Sequence, residues 1–228
     1  LRDMNPAYSV IFLTTLIGAG QGLFVALFGA ELAGYPDPGF LAVGGLVGLL
    51  LCGLGLVASF FHLGRPERFW RTATMWRTSW LSREVIALPV FMGGLFCWTV
   101  AHALGGEVPL LLGLLTLLAC LALWVCTAMI YASVRFLQEW ASSFTLVNYI
   151  LLGLASGFTL ATALAAFGAG ELVPGFGTGA LLFTLAGGIS RLLSLQRNAR
   201  LKPKSTLQSA IGIRHPKIAQ RSMGFMGG

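Results

Sequence analysis

The sequence predicts an all-α fold, a polytopic membrane bundle of six transmembrane helices. Of its 228 residues, 56% are hydrophobic and only 10% are charged, whereas a soluble domain carries roughly a quarter charged residues. Six apolar runs reach the length of about 20 residues that a helix needs to cross a bilayer. In addition, the connections between these runs alternate between basic segments and segments without any lysine or arginine.

The six apolar runs follow one another with short breaks. They are Tyr8–Leu32, Phe40–Phe61, Val85–Leu104, Pro109–Tyr131, Leu146–Phe167 and Phe176–Leu195. The breaks carry turn-forming residues, namely Gly34 with Pro36 and Pro38, Gly105–Gly106, and Pro174–Gly175. The first run is longer than the core of a cleavable signal, about 7–15 apolar residues. We therefore expect it to remain as a helix, with Met4 as a candidate natural start.

All 15 basic residues lie on one side of the predicted membrane. They are Arg2, Arg65, Arg68, Arg71, Arg77, Arg83, Arg135, Arg191, Arg197, Arg200, Lys202, Lys204, Arg214, Lys217 and Arg221. The first, third and fifth connections hold carboxylates instead. Because cytoplasmic loops carry an excess of lysine and arginine, we expect a multi-pass protein of the bacterial inner membrane with a cytoplasmic N-terminus.

The same patterns argue against several functions. The net charge of +7 resides in segments that set topology, so we expect lipid and no nucleic acid as a partner. The four cysteines lie inside apolar runs without CxxC spacing, which favours helix packing over iron–sulfur ligation; they are Cys52, Cys97, Cys120 and Cys126. Three histidines cannot supply the paired axial ligands of a two-haem anchor, so no haem and no metal site is expected.

The connection from Phe61 to Val85 holds the residues best suited to chemistry. It combines five arginines and three tryptophans with His62 at the membrane end of the second helix and Glu84 at the entry to the third. Titratable groups near membrane depth are functional candidates by default, and an imidazole can pass a proton near neutral pH. The alternative for His62 is a helix-capping role.

Other polar residues have simpler explanations. Gln21 is the lone amide of the first helix, and a hydrogen bond between helices accounts for it. Glu31 and Glu107 are expected to flank helices in water, whereas His102 lies at the far end of the third helix.

Glycine spacing and the tail complete the organisation. Glycines recur four residues apart, a spacing that permits close helix contact. The pairs are Gly18 and Gly22, Gly44 and Gly48, and Gly153 and Gly157.

Residues 1–195 form the predicted bundle. Residues 196–228 form a basic tail or loop that is either flexible or docks partner subunits.

At the second connection the sequence resembles the membrane-anchor subunit of dimethyl sulfoxide reductase, the DmsC family. The resemblance rests on HLGRPERFWR at residues 62–71 and RTSWLSRE at 77–84. GAGQGLF around Gln21, and IGIRHPKI and GFMGG near the end of the sequence, are similar too. The resemblance therefore covers essentially the whole chain. Family members usually have about eight helices, whereas this sequence predicts six.

The resemblance implies a haem-free, quinone-binding anchor for a molybdopterin catalytic subunit and a four-cluster iron–sulfur subunit. His62 matches the family's quinone-site histidine and Glu84 its carboxylate after the loop, so these two are the implied catalytic residues. The implied quinone-binding residues, including less specific matches, are His62, Gly64, Arg68, Arg77, Trp80, Glu84 and Gln21. The quinone is expected between the second and third helices.

Orientation favours one branch of this family. The basic loop and tail face the cytoplasm, which suits a cytoplasmic catalytic subunit, as in the similar SoeC-type anchor of quinone-linked sulfite dehydrogenase. A dimethyl sulfoxide reductase anchor oxidising menaquinol shares every residue named. A purely structural anchor and a transporter are the alternatives of another class. A transporter predicts polar groups at the midplane, and Gln21 is almost the only such group in the sequence.

Overall fold

The part of the chain that the structure describes folds into six long α-helices joined by short connections. A computed structural model describes residues 8–35, 37–60, 66–105, 108–202 and 212, with the side chains of residues 60 and 66–70 outside this set. The helices are α1 (Tyr8–Leu32), α2 (Pro38–Phe60), α3 (Trp80–Ala103), α4 (Leu110–Ala132), α5 (Ser143–Gly168) and α6 (Val173–Ala199). Two 3-10 helices, Pro66–Met75 and Gly170–Leu172, precede α3 and α6. All six α-helices in the described part of the chain are long and apolar enough to span a membrane, which confirms the predicted all-α bundle.

Three helices extend beyond the predicted apolar runs because polar residues continue them. Ser79 caps α3, since its hydroxyl accepts a hydrogen bond from the Ser82 backbone N–H at 3.3 Å, so the helix begins five residues before Val85. Ser142 caps α5 in the same way. At the other terminus, α6 continues to Ala199, so the predicted boundary between residues 195 and 196 falls inside a helix.

Helix α1 lies at the centre of the bundle. Among the described residues it packs against α2, α4 and α5, and a helix that is apolar on all sides belongs in such an interior position. Its Phe24 ring meets Phe91 and Trp98 of α3 edge-on, with ring centroids 5.9 and 5.6 Å apart. Phe24 also stacks on Phe28 one turn later. These fully desolvated aromatic contacts hold α3 against α1.

Glycines allow α1 and α5 to approach backbone to backbone. A Cβ atom at Gly22 would collide with the Gly153 carbonyl and lie 3.1 Å from the Gly157 Cα. A Cβ atom at Gly157 would collide in turn with the Gly22 backbone. The predicted close contact at these glycines is therefore confirmed, and it fixes the distance between the two helices.

Helix α6 lies at the edge of the described bundle and packs mainly on α5. Its outer side chains are exposed and apolar, namely Leu181, Leu182, Leu185, Ile189, Leu192, Leu193 and Leu195. Lipid is the natural solvent for such a surface.

The helices alternate in direction, so the bundle has two chemically different ends. The starts of α1 and α5 and the ends of α4 and α6 line one cavity, and Arg197 of α6 donates to the Gln138 carbonyl of the α4–α5 connection at 3.1 Å. We call this the basic end. The ends of α1 and α3 meet at the opposite end, where Glu31 contacts His102.

Gly22→Ala should lower the free energy of unfolding by about 1–3 kcal/mol, because overpacking forces the two backbones apart. Gly29→Ala is the matched control on the same helix, since nothing lies within 4 Å of the added Cβ, and it should stay within about 0.5 kcal/mol of the wild type. Unfolding midpoints in detergent micelles would measure both. Equal midpoints for the two variants would contradict the close α1–α5 contact.

Candidate functional site

The predicted quinone loop lies only partly within the described residues. His62 and Gly64 lie outside them, as does the side chain of Arg68, whose backbone belongs to the first 3-10 helix. The roles predicted for these three residues therefore stay predictions.

The second half of the loop is tied to the first turn of α3 by Arg83. Its guanidinium donates to the Trp76 and Arg77 carbonyls, each at 2.9 Å, and lies 4.2 Å from the centre of the Trp80 ring. Arg77 is exposed, with its guanidinium beside the Trp76 ring at 5.4 Å. In this geometry Arg77 belongs to the folded loop and Trp80 begins α3, and the predicted contact of both residues with quinone stays a prediction.

Glu84 is the fifth residue of α3, near the entry to this helix, as the sequence suggested. Its carboxylate accepts a hydrogen bond from the Thr127 hydroxyl of α4 at 2.6 Å. Glu84 therefore faces α4, whereas the sequence suggested a site between the second and third helices. A carboxylate in a membrane span needs such a partner, because an unpaired one is costly in the bilayer.

A cavity of about 920 Å³ opens beside this pair, between α1, α4, α5 and α6. Tyr131 of α4 and Tyr149 of α5 line it, with their rings stacked at 5.9 Å. Tyr131 follows Thr127 by four residues on α4, so the two side chains lie on the same face of that helix. The cavity and the Glu84–Thr127 pair thus form one polar region at the basic end.

The cavity contains functional candidates that sequence reasoning missed. Asn148 of α5 is only 8% exposed, and its side-chain Oδ1 has no hydrogen-bond partner within the described residues. The criterion that singled out Gln21, an amide inside an apolar run, would also have found Asn148. Arg191 and Ser194 of α6 reach the same cavity.

Gln21 has the helix-packing role that its isolation suggested. It is 2% exposed, and its amide donates to the Cys120 carbonyl of α4 at 2.9 Å. Cys120 and Thr127 are seven residues apart on α4, which is about 10 Å along the helix. Gln21 therefore lies about two turns deeper than Glu84, and its predicted contact with quinone stays a prediction.

The expectation from the sequence was wrong for Glu31, which was placed in water beside a helix but contacts two residues of α3. Its carboxylate accepts a hydrogen bond from the Trp98 indole N–H at 2.8 Å and lies 3.2 Å from His102 Nε2, and its side chain is 20% exposed. This cluster joins α1 to α3 at the opposite end, because a partly buried carboxylate is stabilised by hydrogen-bond donors.

That opposite end is also acidic outside the spanning helices. Tyr35, in the connection between α1 and α2, has a raised pKa because of desolvation and the nearby carboxylates of Asp37 and Glu171. The described charges of the two ends thus differ in sign, as the sequence indicated.

An apolar helical bundle with its polar groups gathered near two ends defines a multi-pass membrane protein. The chain belongs to the DMSO reductase anchor subunit (DmsC) family, which it matches over residues 4–212.

Two relatives are similar to this chain. A sulfite dehydrogenase subunit of Allochromatium vinosum is 54% identical over 246 residues, an alignment that covers 99% of this chain and 75% of that protein. Anaerobic dimethyl sulfoxide reductase chain YnfH of Escherichia coli is 36% identical over 122 residues, covering 50% of this chain and 41% of that protein. No solved structure matches the chain.

Trp98→Phe should destabilise the bundle by about 1–3 kcal/mol, because Glu31 loses a buried donor. Trp76→Phe is the control, since Trp76 is 53% exposed. Thermal unfolding in detergent would measure both. If Trp98→Phe unfolds at the same temperature as the Trp76→Phe control, the Glu31 cluster adds nothing to stability.

Proposed function

We propose that the chain is the quinone-binding membrane anchor of a heterotrimeric oxidoreductase that oxidises sulfite. In this proposal a molybdopterin-containing partner converts sulfite to sulfate in the cytoplasm, and a four-cluster iron–sulfur partner carries the electrons to the membrane. The anchor lies in the bacterial inner membrane with its N-terminus in the cytoplasm, and the partners dock on its basic end.

The observation that carries the proposal is the Glu84 carboxylate inside a membrane helix, held by Thr127 at 2.6 Å and directly following the loop that resembles the family's quinone site. A purely structural anchor needs no carboxylate there. The identity of 54% to a sulfite dehydrogenase subunit over nearly the whole chain supports sulfite as the substrate. The basic loop supports a cytoplasmic position for the partners.

In the proposal the electron acceptor is a quinone. Quinone reduction takes up two electrons and two protons, so the site needs hydrogen-bond donors and a proton route. In the proposal His62 hydrogen-bonds one ring oxygen, and Glu84 exchanges protons with the cytoplasmic side. Thr127 orients the Glu84 carboxylate, and the apolar helices around the site exclude bulk water.

A dimethyl sulfoxide reductase anchor is the second candidate, because YnfH is 36% identical over half of this chain. The two functions differ in the direction of electron flow. Purified complex should reduce quinone with sulfite, and should not oxidise quinol with dimethyl sulfoxide at a comparable rate. The reverse pattern would establish the reductase instead.

His62→Leu should abolish quinone reduction, because the hydrogen bond and the proton relay are both lost. Dye-linked sulfite oxidation by the partner subunits should persist, since it bypasses the membrane. Thr74→Val is the control in the same loop, as the Thr74 hydroxyl bonds the Arg71 carbonyl one turn back. Normal quinone turnover in His62→Leu would defeat the assignment.

Glu84→Gln should lower quinone turnover about 10²-fold or more, because an amide can accept the Thr127 hydrogen bond but cannot exchange a proton. The thermal stability of the complex should remain close to that of the wild type. Steady-state quinone reduction, with dye-linked activity as the internal standard, measures the effect. Unchanged turnover would show that the Glu84 carboxylate only serves packing.

A further inference from the structure

We propose that the cavity between α1, α4, α5 and α6 holds one phospholipid of the phosphatidylethanolamine class. Its phosphate contacts Arg191, and its ammonium group contacts Glu139 and Asn148. This site is separate from the quinone site proposed at the second connection, and the inference does not depend on the proposed function. It gives a role to three polar residues that quinone reduction leaves unused.

Arg191 is a cation in a lipid-facing part of α6. Exposed leucines follow it directly, at Leu192 and Leu193, and the helix continues beyond it to Ala199. Arg191 lines the cavity, and within the described residues its side chain has neither a hydrogen bond nor an ion pair. Charged side chains in membrane helices nearly always pair with an opposite charge or face a cavity. A lipid phosphate in this cavity would supply the anion.

Glu139, in the connection between α4 and α5, brings the opposite charge to the same cavity. Both Glu139 and Arg191 line it, yet the described structure contains no salt bridge between them. The cavity therefore separates a cation from an anion, and the two charges sum to zero. A zwitterionic headgroup complements such a pair, whereas an anionic headgroup would leave Glu139 beside a like charge.

Asn148 supplies an acceptor without a donor. The residue is 8% exposed and lines the cavity, and its Oδ1 has no hydrogen-bond partner among the residues that the structure describes. Native structures leave few such atoms without water or a ligand. An ammonium group has three N–H donors, enough for both Asn148 Oδ1 and the Glu139 carboxylate. A choline headgroup has the same charge but lacks these donors.

The deeper part of the cavity is apolar in character. Gly18 and Leu152 line it there. The Ser156 hydroxyl donates to the Leu152 carbonyl of its own helix at 2.9 Å, and the Thr14 hydroxyl donates to the Val10 carbonyl at 2.9 Å. Because neither hydroxyl needs a ligand, acyl chains suit this region better than a polar molecule.

The position of the cavity suits a lipid of the surrounding bilayer. Its volume of about 920 Å³ lies near the upper end of the range of roughly 300–1,000 Å³ that is usual for small-molecule pockets. Trp140 lines the same cavity and is 45% exposed, and indoles favour the headgroup level of a membrane. Since α6 packs mainly on α5, acyl chains can pass beside α6 into the bilayer.

The test uses the protein purified from membranes with its bound partners and stripped of lipid in detergent. Phosphatidylethanolamine, phosphatidylcholine and phosphatidylglycerol are titrated in separate arms, and native mass spectrometry counts the lipids bound. We expect one phosphatidylethanolamine to bind per chain, in preference to the other two lipids. Inorganic phosphate shares only the anion with the lipid and should not displace it.

Three variants test the three contacts. Arg191→Gln, Glu139→Gln and Asn148→Leu should each weaken the binding of phosphatidylethanolamine about tenfold, because each removes one polar contact of the headgroup. In Asn148→Leu and Glu139→Gln the preference over phosphatidylcholine should shrink as well, since only the ethanolamine headgroup donates to these acceptors. Arg191 and Glu139 are exposed, so their replacement leaves the packed core intact.

Arg200→Gln is the matched control. It makes the same change as Arg191→Gln, at the residue that caps the end of the same helix, and Arg200 does not line the cavity. This variant should bind phosphatidylethanolamine as tightly as the wild type. Thermal unfolding of the lipid-free proteins verifies that all variants are folded.

The other outcomes would overturn the inference. Equal affinity for the three lipids, or unchanged affinity in Arg191→Gln and Glu139→Gln, would show that the cavity selects no headgroup. Displacement of the lipid by inorganic phosphate would identify a free anion as the ligand. Displacement by quinone would assign the cavity to quinone instead, and that result would leave the proposed function standing.

Discussion

The backbone contact between α1 and α5 sets the arrangement on which the rest of the bundle depends. Gly22 and Gly157 leave no room for a Cβ atom between the two helices, so α1 lies in the interior with its apolar residues buried on several sides. The aromatic rings of α1 then fix α3, and Gln21 fixes α4. In lipid no hydrophobic driving force holds helices together, and such close packing with a few hydrogen bonds must do so.

Two polar regions at opposite ends of this bundle have different chemical characters. At the end where α1 and α3 terminate, the Glu31 carboxylate accepts a hydrogen bond from Trp98 and lies beside His102, and this contact supports structure. At the basic end Glu84 accepts a hydrogen bond from the neutral Thr127 hydroxyl. One turn farther along α4, Tyr131 lines a cavity with the Asn148 amide oxygen, which has no partner among the described residues. A carboxylate with an indole and an imidazole beside it suits stability, whereas one close to open space suits binding and proton exchange.

The sequence predicted the number of helices and the charge asymmetry, because bilayer thickness and the cost of burying charge impose both on any chain. It predicted the glycine contact because four-residue spacing places small residues on one helix face. It failed for Glu31, since nothing local shows that a carboxylate near a helix end will meet an indole 67 residues away. The position of Asn148 beside a cavity could not be predicted, because a cavity depends on which helices become neighbours, and that follows from the packing of the whole bundle.

The marginal position of α6 affects how a ligand would move. This helix forms one wall of the cavity and packs mainly on α5, so among the described residues little packing joins it to α1 or α4. Local opening has the lowest free energy where the fewest contacts are lost. A hydrophobic molecule dissolved in the bilayer could therefore exchange sideways past α6, within the plane of the membrane, and the rate of that exchange would depend on membrane fluidity rather than on solubility in water.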